Sequence, residues 1–252
     1  MPRLVATEAE PVVVLNSGAD SPFLLLGDHA GRDIPASLTD LGLPPADLAR
    51  HIAWDIGVAG LGARLSDALG ATFIAQRYSR LVIDCNRDPS RADAIPEQSD
   101  GSTVPGNSNL TPAERAARVA AIHEPYQQRI AEEIAGRDAR GLTTVLVALH
   151  SFTPVMGAHA RPWRFGVLHQ EDSPFSRAVL ARLRAEPDIG PVGDNEPYRM
   201  DDVDHTVPRH RRQGRIDYVE LEVRQDLLAD DAGQAAVAAR LARLLPQALG
   251  DL

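Results

Sequence analysis

Two histidines stand directly after short apolar runs that are typical of buried strands. His29 follows the run at residues 23–26, and His150 follows the run at residues 144–149. In α/β sheets ligands bind where strands end, so two imidazoles placed in this way can meet at one metal ion. A catalytic zinc site typically has three protein ligands and a position left for water. The alternative is that each is an isolated core or capping histidine, but the paired placement favours a metal.

Three residues compete for the role of third metal ligand. A carboxylate would complete the two-histidine, one-carboxylate set of many zinc hydrolases. Asp55 is one candidate, although it precedes a predicted helix and could instead be its N-cap. Asp33, four residues beyond His29, and His51 are the alternatives. The pattern of residues leaves this choice open.

A possible carboxylate-binding segment runs from Arg80 to Arg87. The pattern predicts a buried strand at residues 81–83 that leads into Asp84, Asn86 and Arg87. An arginine pairs with a carboxylate through two parallel hydrogen bonds, and an asparagine adds a directional donor. The segment therefore predicts a place to hold the free acid of a small substrate. The alternative is a structural ion pair between Asp84 and one of the arginines.

Near the C-terminus, charged and apolar residues alternate with the period of a strand. Glu220, Glu222 and Arg224 therefore share one face. On an exposed edge this would be a solvated face. In a covered sheet, Glu222 near the strand end is a candidate general base for the activation of water. Cys85 has no identifiable base beside it in the sequence, which favours a buried, inert thiol.

Strands and helices alternate along the chain. Apolar runs predict strands at residues 12–15, 23–26, 72–75, 81–83, 144–149, 165–168 and 218–223. Helical patterns lie between them; Pro125 is expected to interrupt one helix and Pro246 to stop the last. The alternation predicts a three-layer α/β fold, in which a mixed, mostly parallel sheet has helices on both faces. With no linker or repeat, we expect one domain over residues 1–252, whose least structured stretch is residues 88–110.

Composition excludes several classes of function. The net charge is −9, and the basic residues are all arginine, which argues against a phosphate-binding face for nucleic acid. No apolar run has the length of a membrane span, and the first residues lack the apolar core of a signal peptide. The single cysteine rules out an internal disulfide. These features predict a cytoplasmic protein that acts on a small molecule; they do not indicate its oligomeric state.

Together these segments resemble the N-formylglutamate amidohydrolase family. The similarity extends from about residue 23 to residue 228, with the motifs in the family's order. The matching segments are DHAGRDIP (28–35), WDIG (54–57), RLVIDCNR (80–87), LHS (149–151), NEPY (195–198) and VELEVR (219–224).

The resemblance implies a fold similar to that of the zinc carboxypeptidases and the hydrolysis of N-formyl-L-glutamate to formate and L-glutamate. It also implies one zinc ion per chain on His29, Asp55 and His150, with Glu222 as the base. Substrate contacts are then expected from a further set of residues, namely Arg80, Asn86, Arg87 and Tyr198. Two alternatives remain: hydrolysis of another N-acyl amino acid, or a non-catalytic binder of small carboxylates.

Overall fold

One central sheet organises the part of the chain that this computed structural model describes, residues 9–170, 173–201, 203–211 and 216–252. Its seven strands lie in the order β1–β3–β2–β6–β11–β9–β10, and the four remaining strands form two short hairpins. In chain order the strands are β1 (Val12–Leu15), β2 (Phe23–Gly27), β3 (Thr72–Gln76), β4 (Gln98–Ser99), β5 (Ser102–Thr103), β6 (Val145–Phe152), β7 (Val155–Met156), β8 (His159–Ala160), β9 (Phe165–Leu168), β10 (Val192–Asp194) and β11 (Asp217–Arg224).

The strand directions make this a mixed, mostly parallel sheet. Strands β3, β2, β6 and β11 are parallel neighbours, whereas β1 runs antiparallel to β3 and β9 antiparallel to β11. The carboxyl ends of the four central strands therefore lie at the same edge. In the register of β6 and β11, His150 lies beside Glu222. The predicted sheet class is confirmed, and it brings two of the predicted site residues together.

Helices cover both faces of the sheet. Helices α2, α5 and α7 pack on one face, and α4 packs on the other. No helix among the described residues is both long and apolar enough to cross a membrane. The helices are α1 (Pro45–Leu48), α2 (Val58–Leu69), α3 (Pro112–Arg118), α4 (Glu124–Ala139), α5 (Pro174–Arg184), α6 (Thr206–His210) and α7 (Asp231–Leu249).

The central strands are apolar on both faces because both faces are covered. Leu25 and Val147 belong to the core under α2 and α7, while their neighbours Leu24 and Leu146 belong to the core under α4. All four side chains are fully buried. This two-sided burial explains why the strands appear in the sequence as continuous apolar runs.

The predicted strand at residues 81–83 was wrong. The segment is fully buried but forms turns, because its backbone groups find partners in neighbouring loops instead of a strand. Asp84 donates its N–H to the carbonyl of Ala94, and the buried guanidinium of Arg118 donates to the carbonyl of Val82. The apolar run predicted correctly that this segment is buried. Burial alone, however, does not show whether a neighbouring strand is free to pair with it.

Two helix predictions also differ from the structure. Helix α7 continues through Pro246 to Leu249, because a proline near the end of a helix removes only one of its hydrogen bonds. The interruption expected near Pro125 is a π-helical turn over Val119–His123, which ends immediately before α4. The segment at residues 88–110 contains the β4–β5 hairpin and two 3-10 turns, so it is more ordered than expected.

Helix α3 begins with a complete capping box. The hydroxyl of Thr111 accepts the N–H of Glu114 at 3.2 Å, and the Glu114 carboxylate accepts the N–H of Thr111 at 2.8 Å. We expect Thr111→Ala to lower the free energy of unfolding by about 1 kcal/mol, because it leaves helix N–H groups without this partner. Urea denaturation measures the change. The exposed Thr143→Ala serves as the control and should cost less than about 0.5 kcal/mol; equal losses in both variants would contradict the capping role.

Candidate metal centre and active site

Two histidines and one aspartate converge at the carboxyl edge of the sheet. His29 lies just past β2, His150 lies in β6, and Asp55 lies in the loop before α2. The backbone N–H of Asp55 donates to the carbonyl of His29 at 2.9 Å, which fixes this loop against the end of β2. One ligand atom from each of the three residues lies within 4.8 Å of the others, and all three residues are buried.

The two imidazoles present the same nitrogen to the shared carboxylate. Nδ1 of His150 lies 3.0 Å from Oδ2 of Asp55, and Nδ1 of His29 lies 3.4 Å from the same oxygen. Nδ1 of His29 is buried and has no hydrogen-bond partner within the described part of the chain. Two nitrogens and a carboxylate oxygen, one of them lacking a partner, form a donor set that suits a borderline-soft divalent metal such as zinc.

A second carboxylate lies behind each histidine. Nε2 of His29 lies 2.7 Å from Oδ1 of Asp84, and Nε2 of His150 lies 3.4 Å from Oδ2 of Asp28. Carboxylates in this position fix the tautomer and the orientation of a metal-binding imidazole. The hydrogen bond to Asp84 favours the proton on Nε2 of a neutral His29 and leaves its Nδ1 lone pair directed at the centre. Nε2 of His150 and Oδ2 of Asp28 have no hydrogen-bond partner among the described residues, and the hydrogen bond of His150 is the one from Nδ1 to Asp55.

The charges of this cluster stabilise one another. Burial by itself would raise the pKa of Asp55 and of Asp84, but the neighbouring cationic groups lower both. His29 and His150 lower the pKa of Asp55. The pKa of Asp84 is lowered most by Arg80 and less by His29. The carboxylates are therefore ionised, which is the state that a metal ligand requires. Burial lowers the pKa of His29 and of His150, but the neighbouring carboxylates raise both overall, so each imidazole has to release a proton when a metal binds.

The geometry separates the three candidates for the third ligand. Asp33 is exposed and lies 3.7 Å from Arg77, away from the histidines. His51 lines the same cavity but lies beside Asp100, at 3.4 Å. The N-cap of α2 is Gly57, with no side-chain cap, so Asp55 does not cap that helix. Of the three candidates, only Asp55 lies with the histidines.

Glu222 lies next to this cluster, inside the sheet and not on an exposed edge. It is 6% exposed, and its Oε2 has no hydrogen-bond partner among the described residues. Burial raises the pKa of Glu222 to about 7, while His150 opposes this shift and Asp55 adds to it. A carboxyl group with a pKa near neutrality can both accept and release a proton.

The segment predicted to bind a substrate carboxylate also lines the cavity, but several of its side chains already form hydrogen bonds within the protein. Arg80 donates to Asp84 at 2.7 Å and lies 3.4 Å from Asp55, so the structural ion pair considered for it is present. The oxygen of the Asn86 amide accepts two backbone N–H groups at the start of α6, and its nitrogen donates to Asp204. Asn86 therefore holds the start of α6 against the wall of the cavity by hydrogen bonds.

Two further predicted residues lie at the accessible part of the site. The guanidinium of Arg87 donates to the carbonyl of Asn86, and its side chain is 22% exposed. Tyr198 is 39% exposed, and its hydroxyl accepts a hydrogen bond from Arg161 at 2.9 Å. The guanidinium of Arg161 also lies over the ring of Tyr198, 4.7 Å from its centroid.

A single cavity of about 490 Å³ contains all the predicted site residues. Its lining includes His29, Asp55, Arg80, Asn86, Arg87, His150, Tyr198 and Glu222. Sequence reasoning did not assign roles to Asp28, Asp204 or Glu220, and it considered Asp84 only as a partner of an arginine. The available signals were the position of Asp28 directly before His29 and that of Glu220 two residues before Glu222, on the same face of the strand. The contacts of Asp84 with His29 and of Asp204 with Asn86 join distant segments of the chain.

The carboxylate behind His29 offers a direct test of the metal centre. We expect Asp84→Asn to weaken metal binding by about 10- to 100-fold, because the imidazole loses the group that orients it and raises its basicity. Competition with a chromophoric chelator measures the affinity. Asp93→Asn is the matched control, since Asp93 also lines the cavity but is hydrogen-bonded to Arg91 instead of a histidine. Equal affinities in wild type and Asp84→Asn would contradict the expected role.

Comparisons with known proteins agree with this description. The family model for N-formylglutamate amidohydrolase matches residues 21–229. A crystal structure of a gene product from Agrobacterium tumefaciens is similar with 39% sequence identity and a TM-score of 0.93, over 97% of this chain and 96% of that one. N-formylglutamate amidohydrolase from Ralstonia eutropha JMP134 shares the fold, with 20% identity, a TM-score of 0.69 and coverage of 96% and 98%. No curated protein sequence matches this chain.

The three-layer fold and the buried histidine–aspartate cluster define an α/β protein with a candidate metal centre at the edge of its sheet. Because the family model covers most of its length, the chain belongs to the N-formylglutamate amidohydrolase family. It is thus a member of a family of enzymes that hydrolyse amides.

Proposed function

We propose that this protein catalyses the zinc-dependent hydrolysis of the amide bond in an N-acyl amino acid. The reference reaction, which the family name supplies, converts N-formyl-L-glutamate to formate and L-glutamate. The observation that carries the proposal is the juxtaposition in one cavity of the Nδ1 atoms of His29 and His150, the Asp55 carboxylate and the Glu222 carboxylate, whose Oε2 has no hydrogen-bond partner among the described residues.

His29, Asp55 and His150 are the residues that would hold the metal. A zinc ion bound there supplies Lewis-acid chemistry, which makes water more acidic and polarises a carbonyl group. Asp84 keeps the imidazole of His29 oriented from behind. In this proposal the reacting carbonyl of the substrate lies at the end of β6, next to the end of β11.

Glu222 is the proposed general base and acid. Its Oε2 takes a proton from the attacking water as the new C–O bond forms at the acyl carbon. When the C–N bond breaks, the same carboxyl group gives that proton to the departing nitrogen. The products are a carboxylic acid and a free amino acid, so no other reactant is needed. The pKa of about 7 for Glu222 suits both transfers near neutral pH.

We assign to Arg80 and Arg87 the binding of negatively charged groups of the substrate. Arg80 lies beside Asp55, so it is close enough to the centre to stabilise charge that develops on the acyl oxygen. Arg87, whose contacts with Asp93 and Asp204 are 3.7 and 3.8 Å long, is assigned to the free carboxylate of the amino acid. Asn86 supports the substrate site by holding α6 in place. Tyr198 is assigned to the solvent-exposed side of the cavity, where it would cover the bound substrate.

Removal of the metal tests the proposal. We expect a chelator to lower the rate of formate release from N-formyl amino acids by at least about 100-fold, and added zinc to restore it, because the Lewis acid supplies several kcal/mol of transition-state stabilisation. Formate is measured by a coupled assay, and bound zinc by elemental analysis of the same samples. A sample carried through the same dialysis without chelator is the control. Undiminished activity in protein with less than about a tenth of an equivalent of metal would refute the proposal.

A further inference from the structure

A network of buried hydrogen bonds lies behind His150, on the Nε2 side of its ring. The central residue of this network is Thr206, the first residue of α6, which is fully buried. Its hydroxyl donates to Oδ1 of Asp28 at 2.6 Å, and Oδ2 of the same carboxylate lies 3.4 Å from Nε2 of His150. Neither Oδ2 of Asp28 nor Nε2 of His150 has a hydrogen-bond partner among the described residues.

The direction of each hydrogen bond in this network is defined. The side-chain N–H of Gln127 donates to the hydroxyl of Thr206 at 3.0 Å, and the amide oxygen of Gln127 accepts from Nε2 of His210 at 2.8 Å. The hydroxyl of Thr206 therefore accepts one hydrogen bond and has a single proton to donate. That proton goes to Asp28 at 2.6 Å, because the carbonyl of Cys85 lies farther away, at 3.2 Å, and a bond to a carboxylate is charge-assisted.

A metal ion on His150 would fix the position of the remaining ring proton. His150 presents Nδ1 to Asp55, at 3.0 Å, so a metal that binds this nitrogen leaves the one ring proton on Nε2. A buried N–H group needs an acceptor, and the carboxylate that faces Nε2 is that of Asp28. His29 already has an acceptor of this kind in Asp84, at 2.7 Å.

Thr206 determines where the acceptor for His150 lies. The terminal torsion of an aspartate side chain is only weakly restricted, so one oxygen must be held if the other is to keep its direction. Thr206 holds Oδ1 of Asp28 and is itself fixed at the start of α6, where its backbone N–H donates to the amide oxygen of Asn86 at 3.0 Å. The network thus connects the start of α6 with the ring of His150.

We propose that Thr206 is a positioning residue of the metal centre, whose hydroxyl holds Asp28 as the acceptor for the Nε2 proton of metal-bound His150. The inference rests on the proposed function, because it concerns the metal on which that function depends. Thr206 is not among the residues that line the cavity, so it acts through Asp28 and not on the substrate. It provides His150 with the orienting carboxylate that Asp84 provides for His29.

The zinc affinity of a Thr206→Val variant is the first test. Valine has the shape of threonine but lacks the hydroxyl, and we expect it to weaken zinc binding by about 10-fold. Thr206→Ser keeps the hydroxyl and should remain within about threefold of wild type. Thr72→Val is the matched control, because the equally buried hydroxyl of Thr72 donates to the carbonyl of Asn16 at the start of β3. Competition with a chromophoric chelator measures the affinity of all four proteins.

A double-mutant cycle shows whether Thr206 acts through Asp28. Asp28→Asn leaves a single acceptor oxygen, so this side chain cannot accept from both Thr206 and His150. We expect Thr206→Val to change the zinc affinity of Asp28→Asn by less than about threefold, although it costs about 10-fold in the wild-type background. The same 10-fold loss in both backgrounds would show an effect that does not pass through Asp28 and would overturn the inference.

The ring proton of His150 is observable in the wild-type protein, so a third readout does not depend on how any variant folds. In zinc-loaded protein, two-bond ¹H–¹⁵N correlations of the histidine rings identify the nitrogen that carries the proton. We expect this proton on Nε2 of His150, and we expect it to exchange with solvent at least about 10-fold faster in Thr206→Val than in wild type and Thr206→Ser. A proton on Nδ1 of His150 would overturn the inference.

The outcomes distinguish this inference from the proposed function. If the zinc-loaded enzyme hydrolyses N-formyl amino acids but Thr206→Val binds zinc as tightly as wild type, the inference is overturned and the proposed function stands. If the expected differences in affinity are found but no N-acyl amino acid is hydrolysed, the proposed function fails and the inference stands. A wild-type protein that binds no zinc would refute both.

Discussion

Glu222→Gln is expected to lower kcat for amide hydrolysis by about 10² to 10⁴-fold, the range that a positioned general base contributes. Glutamine has the shape of glutamate but cannot take a proton from water at neutral pH. The Glu222 carboxyl group is buried beside His150, and its Oε2 has no hydrogen-bond partner among the described residues. The substitution therefore removes the proton acceptor with little change in packing.

The experiment compares zinc content, thermal stability and steady-state kinetics in wild type and variant. Because Glu222 is not one of the three proposed ligands, we expect the variant to bind zinc as wild type does. Glu132→Gln on the surface of α4 controls for the substitution itself and should retain full activity. A Glu222→Gln enzyme with more than about a tenth of the wild-type kcat would exclude Glu222 as the base.

Asp55→Asn is expected to weaken metal binding by at least about 100-fold. The carboxylate of Asp55 lies between the Nδ1 atoms of the two histidines, and its replacement by a neutral amide removes the charged ligand of the set. The effect should exceed that of Asp84→Asn, because Asp84 acts through the imidazole of His29, whereas Asp55 would contact the metal itself.

Asp33 and His51, the alternatives that the sequence left open, provide matched controls. Asp33→Asn carries the same chemical change on an exposed side chain, and His51→Gln removes an imidazole from the same cavity. Zinc affinity is measured for the three variants by competition with a chelator. Our assignment predicts near wild-type affinity for both controls. A loss in Asp33→Asn or His51→Gln that matches that in Asp55→Asn would mean that the third ligand is misassigned.

The sequence by itself determined most of the fold. Apolar runs predicted six of the observed strands, because strands covered by helices are rich in apolar residues; in β11 the apolar residues alternate with Glu220 and Glu222. The helix signals were also local: Gly70 ends α2 in the left-handed conformation, and Thr111 caps α3. The predictions that were wrong or missing concern features that depend on tertiary structure. Residues 81–83 are buried without a strand partner, and β10 is too short and too polar to stand out.

For the site, the sequence determined the types of residue at the strand ends, His29, His150 and Glu222. Those positions follow from the periodicity of single strands and from the rule that parallel strands end at a common edge. Only the tertiary structure separated Asp55 from Asp33 and His51, since the loop that carries it is fastened to the end of β2. It also revealed the carboxylate behind His29 and the buried Glu220, whose Oε2 has no hydrogen-bond partner among the described residues. Distances between side chains from remote segments depend on how the loops pack, and no local pattern in a sequence records that.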